Sequence, residues 1–375
     1  MFNLPPAAYL PVLGAVAYAA ALAAIVYYWR RLPRWPTAGP LPPLPHIDVL
    51  IAARNEEQLL PACIRSLLAQ QYPADKSTFW VIDDHSEDAT AAVAAQFLHD
   101  PRLRLLSLAS HLQGRRVASY KKEALRWGIA QSAGELIVTT DADCELPPGW
   151  LAAMAAAWQQ GYNFVGAPVR IRDTDDLITS FQALDVAGTM LLTGAACSAG
   201  HPLLANGANM AFSRALYERI GGYAGIDHLA SGDDVLLLQK ALRHGRIGFV
   251  PDAAAIATTA AQHSWRGLWQ QRLRWASKTA AYKDVKLVAF QGFVFTLSWS
   301  IILALLLAPP AGIAALAIKY ASDFFFLRTA ARSLRQPRAM RWFWLAEPLH
   351  ILYIALLGVA ALLPLPVVWK KRDTV

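Results

Sequence analysis

Charge is scarce in this sequence. Of 375 residues 17% are Asp, Glu, Lys or Arg, while 55% are hydrophobic and the mean hydropathy is +0.29. Such composition excludes a disordered chain and is too oily for an ordinary soluble enzyme; it points to a membrane protein that carries a globular part. Cysteine is nearly absent. Cys63, Cys144 and Cys197 are scattered, with no CxxC and no His pair at ligand spacing, so neither a disulfide framework nor a zinc module is indicated. A reducing cytoplasm fits the part that holds them. No repeat with a period of about 20–50 residues is present, which excludes a solenoid. Two phosphate-binding turns are missing as well: no GxxxxGK followed by Ser or Thr, and no GxGxxG after the first strand, so neither a Walker ATPase nor a dinucleotide dehydrogenase is supported. Acids are outnumbered, 27 to 35, giving a net charge of +8 and a pI near 9.4. That excess could serve nucleic acid, anionic lipid or an anionic substrate, and its location decides among them.

The oily stretches lie at the two ends. Met1 to Trp29 holds no charged residue, and Ala7 to Tyr28 is long enough to cross about 30 Å of hydrocarbon. Arg30, Arg31 and Arg34 follow the run instead of preceding it, which predicts an uncleaved anchor (1–29) with its arginines inside. A basic, Pro-rich linker (30–45) comes next, ending in TAGPLPPLP, which cannot donate a continuous hydrogen-bond ladder. The C-terminal region 285–375 offers candidate spans at 287–307, 311–327 and 349–368. The second carries Lys319 and Asp323. Between the second and third lies a loop with Arg328, Arg332, Arg335, Arg338 and Arg341 and no acid, cytoplasmic by the positive-inside rule. The third ends at Lys370, Lys371 and Arg372; one ordinary crossing cannot put both of its basic flanks inside, so it violates the rule or is re-entrant or interfacial, bent at Pro364 and Pro366. Basic residues thus crowd membrane edges, which makes anionic membrane lipid the expected partner and argues against nucleic acid.

Residues 46–284 read as alternating strand and helix. Ile47 to Ala53 is a short apolar run, with Asn55 as the cap of a helix through Gln70. Phe79 to Ile82 is a strand, Ala89 to Leu98 a helix, Leu103 to Leu108 a strand, Lys121 to Ala130 a helix and Glu135 to Thr140 a strand. This alternation predicts an α/β domain with a mainly parallel, Rossmann-like sheet, whose ligands bind beyond the carboxyl ends of the strands. Acids stand there: Asp83 and Asp84 after one strand, Asp141 and Asp143 after another. Two carboxylates flanking one small residue can present oxygen to a hard divalent cation; acids at strand ends can equally cap helices.

Six motifs occur in order: VLIAARNEE (49–57), VIDDHSEDAT (81–90), KKEAL (121–125), TTDADCE (139–145), SGDD (231–234) and QRLRW (271–275). Over about 46–280 the chain resembles the family 2 glycosyltransferases of GT-A fold, particularly membrane-bound members sharing QxxRW with cellulose, chitin and hyaluronan synthases. The resemblance implies that Glu56 and the Asp83–Asp84 pair, with Asp88 nearby, meet the nucleotide base and ribose, where a carboxylate accepts from imino N–H and hydroxyl groups. Asp88 can instead cap a helix. Lys121 matches the lysine that meets phosphate, with Lys122 as its alternate and a solvated helix face as the plain reading. Asp141 and Asp143 would hold magnesium or manganese, and Cys144 beside them packs, since a hard ion has little use for thiolate.

Inverting transfer needs a carboxylate opposite the leaving group to take the acceptor's proton. SGDD stands at the position of the family's base motif; Asp234 matches the base and Asp233 the preceding acid, which can alternatively cap the helix from Val235 to Arg243. Gln271, Arg274 and Trp275 lie at i, i+3 and i+4, hence on one helix face. Gln271 and Arg274 would meet the pyrophosphate and Trp275 a pyranose ring on the acceptor side; an amphipathic membrane-edge helix with Trp265 and Trp269 is the other reading. NGANM (206–210) resembles an acceptor-side loop, with Asn209 in it, and His263 has no assigned role. The resemblance therefore implies an inner-membrane, multi-pass, metal-dependent inverting glycosyltransferase with a cytoplasmic catalytic domain. It would move a sugar from a nucleotide-diphosphate sugar to a lipid-linked, lipid or saccharide acceptor. The alternatives are a processive polysaccharide synthase and an inactive nucleotide-sugar-binding membrane scaffold.

Overall fold

The computed structural model describes residues 9–33, 43–172, 175–229, 232–276 and 284–363, with 368–369 and 372–373. In chain order the elements are α1 (Leu10–Arg30), β1 (Ile47–Ala53), α2 (Leu60–Leu68), β2 (Ser77–Asp83), α3 (Thr90–Ala95), β3 (Leu103–Ser107), α4 (Leu108–Leu112), α5 (Tyr120–Gln131), β4 (Leu136–Thr139) and α6 (Trp150–Gln159). There follow β5 (Phe164–Gly166), β6 (Val169–Ile171), α7 (Leu177–Ser198), β7 (Met210–Ser213), α8 (Arg214–Arg219), α9 (Val235–Ala241), β8 (Ile247–Phe249), β9 (Ala257–Thr259), α10 (Trp265–Ala276), α11 (Val285–Leu307), α12 (Pro309–Ser333) and α13 (Phe343–Ala361). Packing separates a sheet unit, drawn from Leu32–Ile171 and Ala196–Ala260, from a helical unit drawn from Met1–Arg31, Arg172–Ala195 and Ala261–Val368. Two segments inside 46–284 thus group with the apolar helices.

The sheet unit is built on seven strands in the order β3-β2-β1-β4-β7-β5-β8, parallel except where β7 runs against β4 and β5. β1 is central. Helices cover both faces of such a strand, so it reads as an unbroken apolar run, and Ile47, Val49, Leu50 and Ile51 are wholly buried, each stabilising by roughly 1.5–3 kcal/mol. The polar interruption is Asp48. Its carboxylate accepts from Trp80 Nε1 at 2.9 Å and from the Gly134 N–H, and Arg214 stands 3.8 Å away. Gly134 is required by that approach, since a Cβ there would lie 2.6 Å from Asp48 Oδ2 and 2.8 Å from the His46 carbonyl. From β1 the chain crosses to β2 and β3 on one side and then to β4 on the other, so the direction of winding reverses between β1 and β4. Ligand crevices form at such reversals. Register carries the acids to that edge: Ala53 pairs with Asp83, and Leu50 with Thr139, two residues before Asp141.

One local expectation changes. The helix after β1 begins at Leu60 with Pro61 in its first turn, not at Asn55. Asn55 has φ of +50° and ties the next loop instead, its Oδ1 accepting from Glu87 N at 2.9 Å and its N–H donating to Ser86 Oγ at 3.0 Å.

In the helical unit, four helical stretches are long and apolar enough to cross a membrane: Leu10–Arg30, Val285–Leu307, Pro309–Ser333 and Pro337–Ala361. The last starts well before the expected 349 because a charge inside it is satisfied. Lys319 on α12 donates to Asp323 at 2.6 Å and to Glu347 on α13 at 2.5 Å, and Tyr18 Oη on α1 donates to Asp323 at 2.7 Å. All four are buried. Trp29 Nε1 donates to Ser333 Oγ at 3.1 Å, so the arginine-flanked ends of α1 and α12 lie together. α13 runs against α12, with Phe343 packed on Tyr320 and Phe324, and Glu347 one turn further on at Lys319. The expected bend at Pro364 and Pro366, the flank at Lys370 and Lys371, and most of the 30–45 linker lie outside the described residues.

Removing one member of a buried charge cluster leaves the others uncompensated, at a cost of about 3–5 kcal/mol. Lys319→Met is therefore expected to lower the thermal midpoint of detergent-solubilised protein by roughly 10 °C. Combining Lys319→Met with Asp323→Asn and Glu347→Gln should recover most of the loss. Fluorescence-detected size exclusion after heating reads both, and an unchanged midpoint in Lys319→Met removes the cluster's structural role.

Candidate active site

The carboxyl edge of β1, β2 and β4 gathers the acids. Asp83 ends β2, is 8% exposed, and its Oδ1 is buried with no hydrogen-bond partner among the described residues. A buried carboxylate oxygen without a donor is costly, which marks it as a place for an incoming N–H or O–H. Asp84 beside it is buried, donates its N–H to Ala53 O at 2.7 Å and pairs through Oδ1 with His85 Nδ1 at 3.0 Å. Arg54 brackets the loop, its Nη1 donating to the carbonyls of Asp84 at 3.0 Å and His85 at 2.8 Å. Sequence reasoning passed over Arg54, although it sits inside a quoted motif. Glu56 N donates to Thr90 Oγ1 at 2.7 Å, which places Glu56 beside the same loop.

Asp88 is structural. Its carboxylate accepts from Thr90 N at 3.0 Å, Thr90 Oγ1 at 2.5 Å and Glu57 N at 3.2 Å. Burial opposes ionisation there, but these hydrogen bonds outweigh it and hold the acid below the ordinary aspartate range.

Beyond β4 the acids meet a cation. Lys121 Nζ, from the first turn of α5, lies 2.9 Å from Asp141 Oδ1 and 3.1 Å from Asp233 Oδ2. Desolvation would lower this lysine's pKa, but Asp141, Asp233 and then Asp234 outweigh it and raise the ammonium above the ordinary lysine range. Lys122, the alternate, is spent elsewhere: wholly buried, it donates to the carbonyls of Ile226 at 2.6 Å and Leu229 at 2.8 Å. The two residues differ in direction because they are neighbours on a helix.

The helix cap expected of Asp233 is made by Asp234, whose Oδ1 accepts from Val235 N at 2.7 Å while Oδ2 accepts from Gly207 N at 3.2 Å. Ser231 of the same motif lies outside the described residues. Gly207, in the NGANM turn, is pinned by Thr139 Oγ1, which donates to its carbonyl at 2.8 Å. A Cβ on Gly207 would stand 2.9 Å from Asp233 Oδ2 and 3.4 Å from Lys121 Nζ, so this turn closes over the charged cluster by its backbone.

Asn209 of that turn lies in the core. It is wholly buried, accepts from Trp150 Nε1 at 2.8 Å and donates to the carbonyls of Pro168 and Ala255, both at 2.7 Å. Its amide ties these three segments of the core together. Asp143 Oδ2 accepts from Thr259 Oγ1 at 3.0 Å, across to β9, a contact with no local sequence signal. Among the described residues no group of three or more His, Cys, Asp or Glu is drawn together as a metal cluster. Asp141 and Asp143 nevertheless offer hard oxygen, and Asp141 already carries a positive partner, which suits a cation.

Gln271, Arg274 and Trp275 lie on α10 in the helical unit. Between them Arg272 is the buried member, 2.8 Å from Asp185 of α7 and with its guanidinium 4.2 Å over the Trp275 ring. Trp275 itself is 39% exposed.

Over residues 43–278 the sequence matches the family described as Glycosyltransferase like family 2. The chain belongs to that family. It is 26% identical over 252 residues to the probable glycosyltransferase YdaM of Bacillus subtilis, covering 66% of this chain and 58% of that protein. It is 30% identical over 106 residues to the beta-monoglucosyldiacylglycerol synthase of Synechocystis sp., covering 28% of this chain and 21% of the relative. The chain thus spans less than two thirds of either relative's length. Among solved structures, the mannosyltransferase PcManGT from Pyrobaculum calidifontis, in complex with GDP-Man and Mn2+, superposes with a TM-score of 0.60 at 23% identity over 97% of this chain and 100% of that one. The shared feature is the GT-A sheet, as the sequence motifs implied.

The two thiols beside this family-2 site are inert. Burial first, then the nearby Asp143 and Asp141, pushes Cys63 and Cys144 well above ordinary thiols. Ellman's reagent at about pH 8 is expected to leave both unmodified in native protein and to label them after denaturation. Native labelling at either, read by peptide mass spectrometry, contradicts that environment.

Proposed function

We propose that this family-2 chain is a membrane-anchored, metal-dependent, inverting glycosyltransferase that moves a sugar from a nucleotide-diphosphate sugar to a lipid-linked or saccharide acceptor. The observation that carries the reading is the convergence of Asp83, Lys121, Asp141, Asp233 and Asp234 at the carboxyl edge of a GT-A sheet. Asp83, with its donorless buried oxygen, accepts from the base N–H; Asp84 and Glu56 face the ribose. Lys121 meets the diphosphate as a point charge.

Asp141 and Asp143 would hold magnesium or manganese; when bound, the ion neutralises charge on the departing diphosphate. The structural neighbour's complex with GDP-Man and Mn2+ supports that choice. Asp234 takes the proton from the acceptor hydroxyl as that oxygen forms its bond to the anomeric carbon and the bond to the diphosphate breaks on the opposite face. The backbone N–H of Gly207 and of Val235 orient its carboxylate, and Asp233 stays paired with Lys121. Trp275 offers a ring to the acceptor sugar.

A lipid-linked acceptor is favoured by the four apolar helices, and the Synechocystis relative is by name a glycolipid synthase. With Arg30 and Arg31 beside the basic end of α12, those arginines face the cytoplasm of an inner membrane, and the catalytic domain with them. In membranes supplied with radiolabelled nucleotide sugars, Asp143→Asn and Asp234→Asn should each reduce transfer by about a hundredfold or more at unchanged expression. Full activity in either variant overturns that residue's role. Addition of one sugar per acceptor on a gel is the expected product, and a ladder would favour a processive synthase instead.

A further inference from the structure

Lys121 is placed where a divalent ion is wanted. Its ammonium lies 2.9 Å from Asp141 Oδ1 and 3.1 Å from Asp233 Oδ2, tying the loop beyond β4 to the residue preceding the cap of α9. The side chain is 29% exposed and Asp141 39%, whereas Asp233 is 8% exposed, so the lysine bridges an anchored acid and an accessible one. Neighbouring Lys122 shows what a permanently held lysine looks like in this fold: 1% exposed, with two carbonyls at 2.6 and 2.8 Å. Lys121 is held through carboxylates on two separate loops, both bridged at once by its one ammonium.

We propose that Lys121 is the resident counter-ion of Asp141 and competes with the divalent cation, so that the cation takes Asp141 only as the ammonium leaves it for the diphosphate. The inference rests on the reading of Asp141 as a cation ligand. Its physical basis is that a magnesium or manganese ion sits about 2.0–2.2 Å from a carboxylate oxygen, and an ammonium on that same oxygen repels it. Asp233, 3.1 Å from the ammonium, keeps it within reach once Asp141 is taken. The diphosphate is then the anion that makes departure favourable. Cation and nucleotide binding become mutually supporting, each relieving the other's competitor.

The test is Mn2+ binding to the full chain in detergent, followed by the EPR signal of free Mn2+, first without nucleotide and then with GDP or UDP. Lys121→Met is expected to bind Mn2+ alone about tenfold or more tightly than wild type, because Asp141 loses its competitor. Lys121→Gln, neutral but still a hydrogen-bond donor, carries the same expectation should the methionine variant not yield monodisperse protein. Lys121→Arg, which keeps the charge, should show no gain. Adding Asp141→Asn to Lys121→Met should erase the gain. In wild type GDP or UDP should strengthen Mn2+ binding severalfold, and in Lys121→Met that coupling should shrink. Mn2+ binding by the neutral variants that equals or falls below wild type overturns the competition while leaving Asp141 a ligand. Failure of Mn2+ to bind wild type and variants alike, with either diphosphate present, overturns the metal reading itself and the competition with it.

Discussion

The active edge depends on one ammonium group. Asp141 and the adjacent pair Asp233 and Asp234 come from distant parts of the chain, and like charges brought to one strand edge repel unless a cation stands among them. Lys121 supplies it, at 2.9 and 3.1 Å from two of the three. Its placement follows from the sheet: α5 returns the chain from β3 towards β4, across the reversal beside β1, so its first turn comes out over the crevice. β1 is apolar throughout except for Asp48, and that acid is itself fastened to Trp80, Gly134 and Arg214. The register that sets Asp83 against Ala53 thus rests on a strand whose one charge is paired.

The excess of positive charge lies elsewhere. The chain's net +8 is carried largely by arginines at the ends of apolar helices, and the carboxyl edge of the sheet is acidic. An anionic substrate approaching such a site is not drawn by net charge; it needs a cation bound among the acids, or a lysine that can turn towards it. The proposed function resolves the conflict between a basic protein and an acidic site by assigning the basic surface to membrane lipid and the site to diphosphate.

Much of this was legible beforehand, because periodicity and short motifs are local. The alternation of strand and helix placed β1 to β4 within a few residues, and the acids after β2 and β4 announced the crevice. What escaped reading depends on partners far along the chain. Asn209 looks like a loop amide until Trp150, Pro168 and Ala255 are brought around it. Asn55 looks like a helix cap, but Pro61 sets the start of α2 and frees the asparagine to hold the Ser86–Glu87 turn. Adjacent acids such as Asp233 and Asp234 are indistinguishable in sequence; only the direction each side chain leaves the backbone tells the cap from the ion pair. Lys319 and Asp323 made one apolar run look flawed, although together with Tyr18 and Glu347 they complete one another.

The two lysine clusters show how one chemical device serves two ends. Lys319 is held by Asp323 and Glu347, all three 5% exposed or less, so breaking the cluster leaves a buried charge uncompensated. Lys121 is held by one buried acid and one 39% exposed. The Coulombic attraction is similar at these distances, but an exposed partner can be rehydrated, so the cost of breaking Lys121 from Asp141 is far lower than that of breaking Lys319 from Glu347. A pair that can open at modest cost is of use only where another charge arrives to take its place. Among these ion pairs, the proposed function meets that condition at the strand edge, where a diphosphate and a cation would enter together.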